Sequence, residues 1–295
     1  MKKNKIKPLK DLRLLDRFLF AEVMDDPECC KEVLEIILGK EIQLLPKNQT
    51  EKEVRTASWL KSIRLDVYSV DEEGTVYDTE MQQDHRCDLE KRSRYYQGLL
   101  DSSLLESGER NYNKLNDTYI IMIMPFDLFG KGRYQYTIQA SCVEDRSIQV
   151  QDGTTRIFLN THGKNKEEVR PELIEFLNYV EKTNELQGET FHSEKVTKIQ
   201  KAVEQIKSNE QIGVKYMQEW EERQDEIDKA IEADREKRTL ELIRKKQAKG
   251  KDITQIAEEL ESTEEEVRRI LDKKGLLENE QKQEVKTYTF QMKTS

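Results

Sequence analysis

No stretch of this sequence is apolar for long enough to cross a bilayer. The longest run, "YIIMIMPF" from Tyr119 to Phe126, falls far short of the roughly 20 residues a membrane helix needs. Cysteine is scarce. Cys29, Cys30, Cys87 and Cys142 form neither a CxxC pair nor a metal spacing with histidine, so reduced thiols in a cytosolic chain are expected. His85, His162 and His192 have no partners at ligand spacing, and Ser-His, His-Cys and Gly-rich phosphate-loop patterns are missing. Zinc-site, kinase and ATPase chemistries lack their residues. The start "MKKNKIKPLK" is basic, but the amphipathic, charged "DLRLLDRFLF" after it is no signal peptide. Positive charge is also in deficit, with a net charge of -9. That excludes a uniformly basic coat but not a nucleic-acid enzyme, since binding depends on where the cations sit. A soluble, cytoplasmic protein is expected, with no membrane partner.

What is present divides unevenly. A chain of 295 residues can bury one sizeable core plus an appendage. Segments from about 9 to 180 alternate apolar and polar residues, whereas Glu, Lys, Arg and Gln dominate from about 181. The pattern predicts a folded domain over 1–185, a charged helical arm over 186–250, a helix-turn-helix-like module over 251–275 and a flexible tail over 276–295.

Within the first domain, Leu12, Leu15, Leu19, Phe20 and Val23 make one helical stripe. A second helix follows, with Asp26 as its cap, Pro27 in its first turn and Gly39 at its end. Strands are expected at Glu53–Trp59, Ile63–Val70 and Thr75–Met81, the last two joined by "DEEG". A long helix runs from about Leu89 to Glu106, and "TYIIMIMPF" reads as a strand buried on both faces. "YQYTIQASCVE" and "TRIFLNT" are further strands, and "PELIEFLNYVEK" a helix opened by proline. A helix between strands implies a parallel crossover, and the hairpin before it makes the sheet mixed. The expected class is α/β, a mixed sheet flanked by helices.

The hairpin carries the chemistry. Side chains alternate along a strand, so residues of equal parity share a face. With the turn centred near Glu73, Asp66 falls opposite Glu80, and Gln82 lies two residues further on the same face. Leu65, Val67, Tyr77 and Met81 point the other way, into a core. Two carboxylates facing each other in a ladder sit about 5 Å apart and destabilise it. Their repulsion is about 3 kcal/mol at an effective dielectric near 20, and under about 1 kcal/mol in water. A divalent cation between them reverses the sign, and magnesium suits such oxygen ligands. The plainer reading is a solvated strand face on which like charges cost little, and Asp78 and Tyr68, on the same face, fit it. Spacing alone leaves both open.

"RLDVYSVDEEGTVYDTEMQQ" (64–83) resembles the signature of PD-(D/E)XK phosphodiesterases, and more closely the bacterial recombination-promoting nuclease/putative transposase family. "RSRYYQGLLDSSLLESGERNYNKLNDTYIIMI", "RIFLNTHGKNKEEVRPELIEFLNYVE", "VKYMQEWEERQDEIDKAIEADREK" and the ending "GKDITQIAEELESTEEEVRRIL" are similar to that family's later segments, in order. The resemblance implies a restriction-endonuclease-like core and metal-dependent cleavage of DNA, associated with recombination or mobile elements. It implies Asp66 and Glu80 as ligands of Mg²⁺, for which Mn²⁺ can substitute, and Gln82 as the third catalytic residue at the usual lysine position. It also implies an acid on the first helix, Glu22 or Asp16. Where family members commonly carry a lysine, this chain has Phe20-Ala21. The runner-up is a catalytically inactive nuclease fold acting as a DNA- or protein-binding regulatory module.

Arg92 and Arg94 follow the hairpin on one helix, and their donors suit DNA phosphates. Tyr95 and Tyr96 are read mainly as packing residues, and His85 as surface. At the C-terminus, Ile253, Ile256, Ala257 and Leu260 face one way, then Val267, Ile270 and Leu271, with Ser262 and Glu265 as a capping box between them. Three glutamates open the second of these helices, suiting its own N-terminus but repelling a duplex. A protein partner is therefore expected there, and a homodimer is a further expectation.

Overall fold

The computed structural model describes residues 6–45, 49–54, 63–105 and 108–272. The chain divides into two compact units, Met1–Tyr216 and Met217–Ser295.

The first unit opens with two helices, α1 (Arg17–Met24) and α2 (Pro27–Leu38). The stripe that begins at Leu12 is thus helical only from Arg17. Before it, backbone N–H groups are drawn elsewhere: Leu14 donates to Thr183 Oγ1 at 2.8 Å and Leu15 to the Val180 carbonyl at 3.2 Å. Those bonds anchor the segment in an extended turn that a continuous helix would not allow. The α2 boundaries follow their sequence signals. Asp26 accepts from the amides of Glu28 and Cys29, and Gly39 takes the left-handed conformation, φ 71°, that ends helices at little cost only for glycine.

Among the described residues six strands follow: β1 (Gln49–Val54), β2 (Ile63–Val70), β3 (Val76–Met81), β4 (Thr118–Met124), β5 (Gln135–Ile138) and β6 (Thr154–Asn160). They form one sheet in the order β1-β2-β3-β4-β6-β5. The first three are an antiparallel meander, β3, β4 and β6 run parallel, and β5 closes the far edge antiparallel. The β3–β4 crossover is made by α3 (Leu89–Leu104), so the sheet is mixed, as the hairpin-then-helix order predicts. The first strand lies earlier than the expected Glu53–Trp59, and residues 55–59 of that span lie outside the described residues.

Helices cover both faces. On one, α1, α2, α4 (Pro171–Lys182) and α5 (Glu194–Ser208) pack on Val67, Tyr77, Met81, Ile121 and Ile123. On the other, α3 lays Leu89, Tyr96, Leu99 and Leu100 against Ile120, Met122 and Phe158. Leu65 joins this second cluster with Tyr68, not the face of Val67 as strict alternation predicts. Leu65 keeps its register with Lys52 of β1 but lies beyond the β2–β3 ladder, which runs from Val70 to Val67. The compact unit also extends past residue 185, because α5 buries Val196, Ile199 and Val203 in the first core.

The second unit contains most of α6 (Glu210–Gln247), then α7 (Ile253–Glu259) and a helix at 264–272. Leu240 and Ile243 of α6 meet Ile256, Ala257, Val267 and Ile270 in a small core of their own. The last helix is capped one residue later than the Ser262–Glu265 pairing predicts: Thr263 Oγ1 accepts from the Glu266 amide at 3.2 Å. Glu261 at φ 51° continues the turn, and the Ser262 amide is spent on the Ala257 carbonyl at 2.9 Å. Among the described residues no helix is long and apolar enough to cross a membrane.

Candidate active site

The site begins with the turn that sets the hairpin register. Asp71 Oδ1 accepts from the amides of Glu73 and Thr75 at 3.0 and 2.8 Å, and Oδ2 from the Tyr77 hydroxyl at 2.8 Å. Gly74, at φ 85°, supplies the left-handed residue this tight connection needs. The resulting pairs, Val70↔Val76 through Val67↔Thr79, put Asp66 and Glu80 on the next rung.

That rung is not an ordinary ladder step. The Asp66 amide donates to Glu80 Oε1 at 3.2 Å, and the Met81 amide donates to Asp66 Oδ2 at 3.3 Å. Each carboxylate therefore takes an N–H from the other strand. Meanwhile β3 continues in parallel register with β4, Glu80 beside Met122 and Met81 beside Ile123. The acids thus lie at the carboxyl end of a parallel strand, where open α/β sheets place their ligands.

The face is buried, not solvated. Asp66 is 4% exposed, Glu80 2% and Asp78 0%. Two cations cap the first two acids from the solvent side: Arg17 Nε lies 2.6 Å from Asp66 Oδ1, and Arg92 Nη2 lies 2.9 Å from Glu80 Oε2. Asp78 has no such direct partner, although the Arg92 charge acts on it from a distance; neither of its buried oxygens has a hydrogen-bond partner. Burial, reinforced by the charges of Glu80 and Asp66, raises its pKa well above the usual carboxylate range. Burial and the Asp66 charge also push Glu80 up to about 8, against the opposing pull of Arg92. Three carboxylates thus face two guanidinium groups in a poorly solvated place. The structure brings in Arg17 and Asp78, neither of which the sequence singles out as part of the site. The i, i+2 spacing of Asp78 and Glu80 was the one available signal for Asp78; Arg17, 49 positions before Asp66, left none.

The other expected residues are placed as follows. Gln82 accepts from Arg92 Nη1 at 2.8 Å and donates to the Asp84 carbonyl at 2.7 Å, so its amide orientation is set. Of the two first-helix acids, Asp16 reaches the hairpin, accepting from Gln83 Nε2 at 3.1 Å. Burial acts to raise its pKa, but hydrogen bonds from Lys7, Arg13 and Gln83 hold it below the ordinary value. Glu22 turns instead to Lys215. Arg92 faces the acids, whereas Arg94, two residues on, is exposed. Tyr96 lies on the buried side of α3 while Tyr95 is 38% exposed. His85 packs its ring on Phe126, centroids 4.8 Å apart.

Among the described residues no group of three or more His, Cys, Asp or Glu side chains is arranged to hold a metal ion. The two-carboxylate rung is a different kind of site, and its features fit a hard cation. Its donors are all oxygen, burial and the repulsion among the carboxylates raise the pKa of Glu80 and Asp78, and Asp78 is left unpartnered beside it. Magnesium binds this way, through one or two carboxylates with water completing the shell.

A family description, PD-(D/E)XK nuclease family transposase, matches residues 19–234, which include the hairpin, α3 and the whole sheet. Comparisons with curated proteins and with solved structures give no match.

Proposed function

The chain belongs to the PD-(D/E)XK nuclease family transposases, and on that premise we propose that it is a metal-dependent DNA endonuclease acting in recombination or on mobile elements. Membership itself makes this a nuclease-type domain related to mobile elements. The finer reading rests on one observation: the hairpin register carries Asp66 and Glu80 from opposite strands onto one buried rung, where burial and the Asp66 charge raise the Glu80 pKa. In this reading the two carboxylates hold Mg²⁺ or Mn²⁺. Such an ion lowers the pKa of a water and offsets charge growing on the phosphate.

The chain's own groups do the rest. Glu80 is kept in place by the Asp66 amide and Arg92, and Asp66 by the Met81 amide and Arg17. Gln82 presents an amide, not a charge, at the strand end and orients by hydrogen bonding. Arg94, exposed on α3, is left for the DNA backbone. The C-terminal unit is assigned to protein contact, since Glu264, Glu265 and Glu266 head its last helix and repel phosphate.

A second reading, the non-catalytic binding module, draws on the same arginines, which already neutralise the two acids. Cleavage of supercoiled plasmid separates the two. With Mg²⁺ or Mn²⁺ the natural chain is expected to nick DNA, and Asp66→Ala and Glu80→Ala are expected not to. Binding without cutting by all three chains supports the module instead.

A further inference from the structure

Gln82 leaves a gap in the site's chemistry. Phosphodiester hydrolysis builds negative charge on the phosphate, and a glutamine at the strand end brings no cation to meet it. Two cations reach the acids, and their placements differ. Arg17 pairs with Asp66. Arg92 engages both Glu80 Oε2 at 2.9 Å and Gln82 Oε1 at 2.8 Å, through separate nitrogens of one guanidinium. Its remaining nitrogen, Nε, donates to the Tyr96 hydroxyl at 2.7 Å, one helical turn further along α3. The Tyr96 ring lies against the same guanidinium, 4.9 Å from centroid to Cζ. Every nitrogen of Arg92 is thus held within the site. The side chain is nonetheless 26% exposed where that of Glu80 is 3% exposed, so a phosphate arriving from solvent on the Glu80 side meets Arg92 before the carboxylate.

We infer that Arg92 supplies from α3 the positive charge that position 82 lacks, with Gln82 and Tyr96 as the residues that position it. The inference rests on the nuclease reading above and deepens it. A guanidinium forked across Glu80 and Gln82 keeps the carboxylate oriented and leaves N–H donors toward the approaching phosphate. Arg92 then differs in kind from a surface phosphate clamp, which adds affinity along the whole duplex and has no reason to be bonded to the strand that carries the acids.

The test moves the charge back to the strand. Three chains are compared: the natural protein, Arg92→Gln, and the double variant Gln82→Lys, Arg92→Gln. Each is measured for plasmid nicking in Mg²⁺, for binding of a fluorescent duplex in EDTA, and for thermal melting. Arg92→Gln is expected to lose about a hundredfold in nicking rate, the usual scale for removing a charge-stabilising donor, with duplex affinity in EDTA unchanged. The double variant recovers most of that loss. If affinity in EDTA falls in step with nicking, Arg92 is a phosphate clamp and the inference is overturned. A double variant no faster than Arg92→Gln overturns it equally. Should Arg92→Gln fail to fold, Arg92→Lys takes its place: one ammonium keeps the charge but cannot fork across both partners, so a loss smaller than a hundredfold is expected, recovered by adding Gln82→Lys, and a fall of EDTA affinity in step with nicking overturns the inference as before. A natural chain that does not nick at all overturns the nuclease reading itself, and the inference with it.

Discussion

Glu80 makes the stability of the metal-free protein fall as pH rises, the reverse of the usual carboxylate effect. Its folded pKa is raised to about 8 from an ordinary 4.5, chiefly by burial and then by the Asp66 charge. Below about 4.5 the group is protonated in both folded and unfolded chains and costs nothing. Between 4.5 and 8 the unfolded chain gives up the proton while the folded chain keeps it, so stability drains away with increasing pH. A gap of that size corresponds to a loss on the order of 5 kcal/mol when complete. That is a large share of the 5–15 kcal/mol typical of a domain. Asp78, shifted in the same direction, adds to the slope. Asp16, Glu35 and Glu181 are held below their ordinary values and lose their contribution only at lower pH, outside this window. The assay is urea unfolding in EDTA at pH 5, 6, 7 and 8. The natural chain should weaken steadily over that range. Glu80→Gln should flatten part of the slope, because it removes one titrating group while Asp78 remains. Stability that climbs toward pH 8 in the natural chain, or a slope untouched in Glu80→Gln, would refute this electrostatic account of the rung.

Other consequences are structural. Asp71→Ala removes the acceptor for two turn amides and the Tyr77 hydroxyl and should cost about 3 kcal/mol, read as a lower urea midpoint. It should also reduce nicking, since the same turn sets the Asp66–Glu80 rung. Ile243→Ala opens the small core of the second unit, where Ile243 is fully buried, at a cost of about 2–5 kcal/mol. Hydrogen exchange should then speed up in α7 while the amides of β4 stay protected.

Local signals carried much of the architecture. The "DEEG" turn with Gly74 fixes a register in which only Asp66 can face Glu80, so the pair was legible before any three-dimensional view. Asp26, Pro27 and Gly39 bounded α2 for equally local reasons, and proline opened α4. What escaped depends on residues far apart in the chain. The strand parity that pairs Asp66 with Glu80 also includes Asp78, yet parity says nothing of burial. Only the packing of α3 makes that face dry. Arg17 reaches Asp66 because α1 docks at the hairpin's open end, and no spacing rule links positions so distant. The choice between Asp16 and Glu22 was likewise beyond a helical stripe: both lie in one segment, and the contact to Gln83 distinguishes them. α5 reads as part of a charged arm because its apolar residues, Val196, Ile199 and Val203, are few, although each is buried in the core.

The central claim is that the Asp66–Glu80 rung is a metal site. Anomalous scattering from crystals soaked in Mn²⁺ tests it directly. The account predicts a peak within coordination distance of both carboxylates, absent from crystals of Glu80→Gln soaked in the same way. A rung that stays closed by Arg17 and Arg92, with no manganese at either acid, would contradict it.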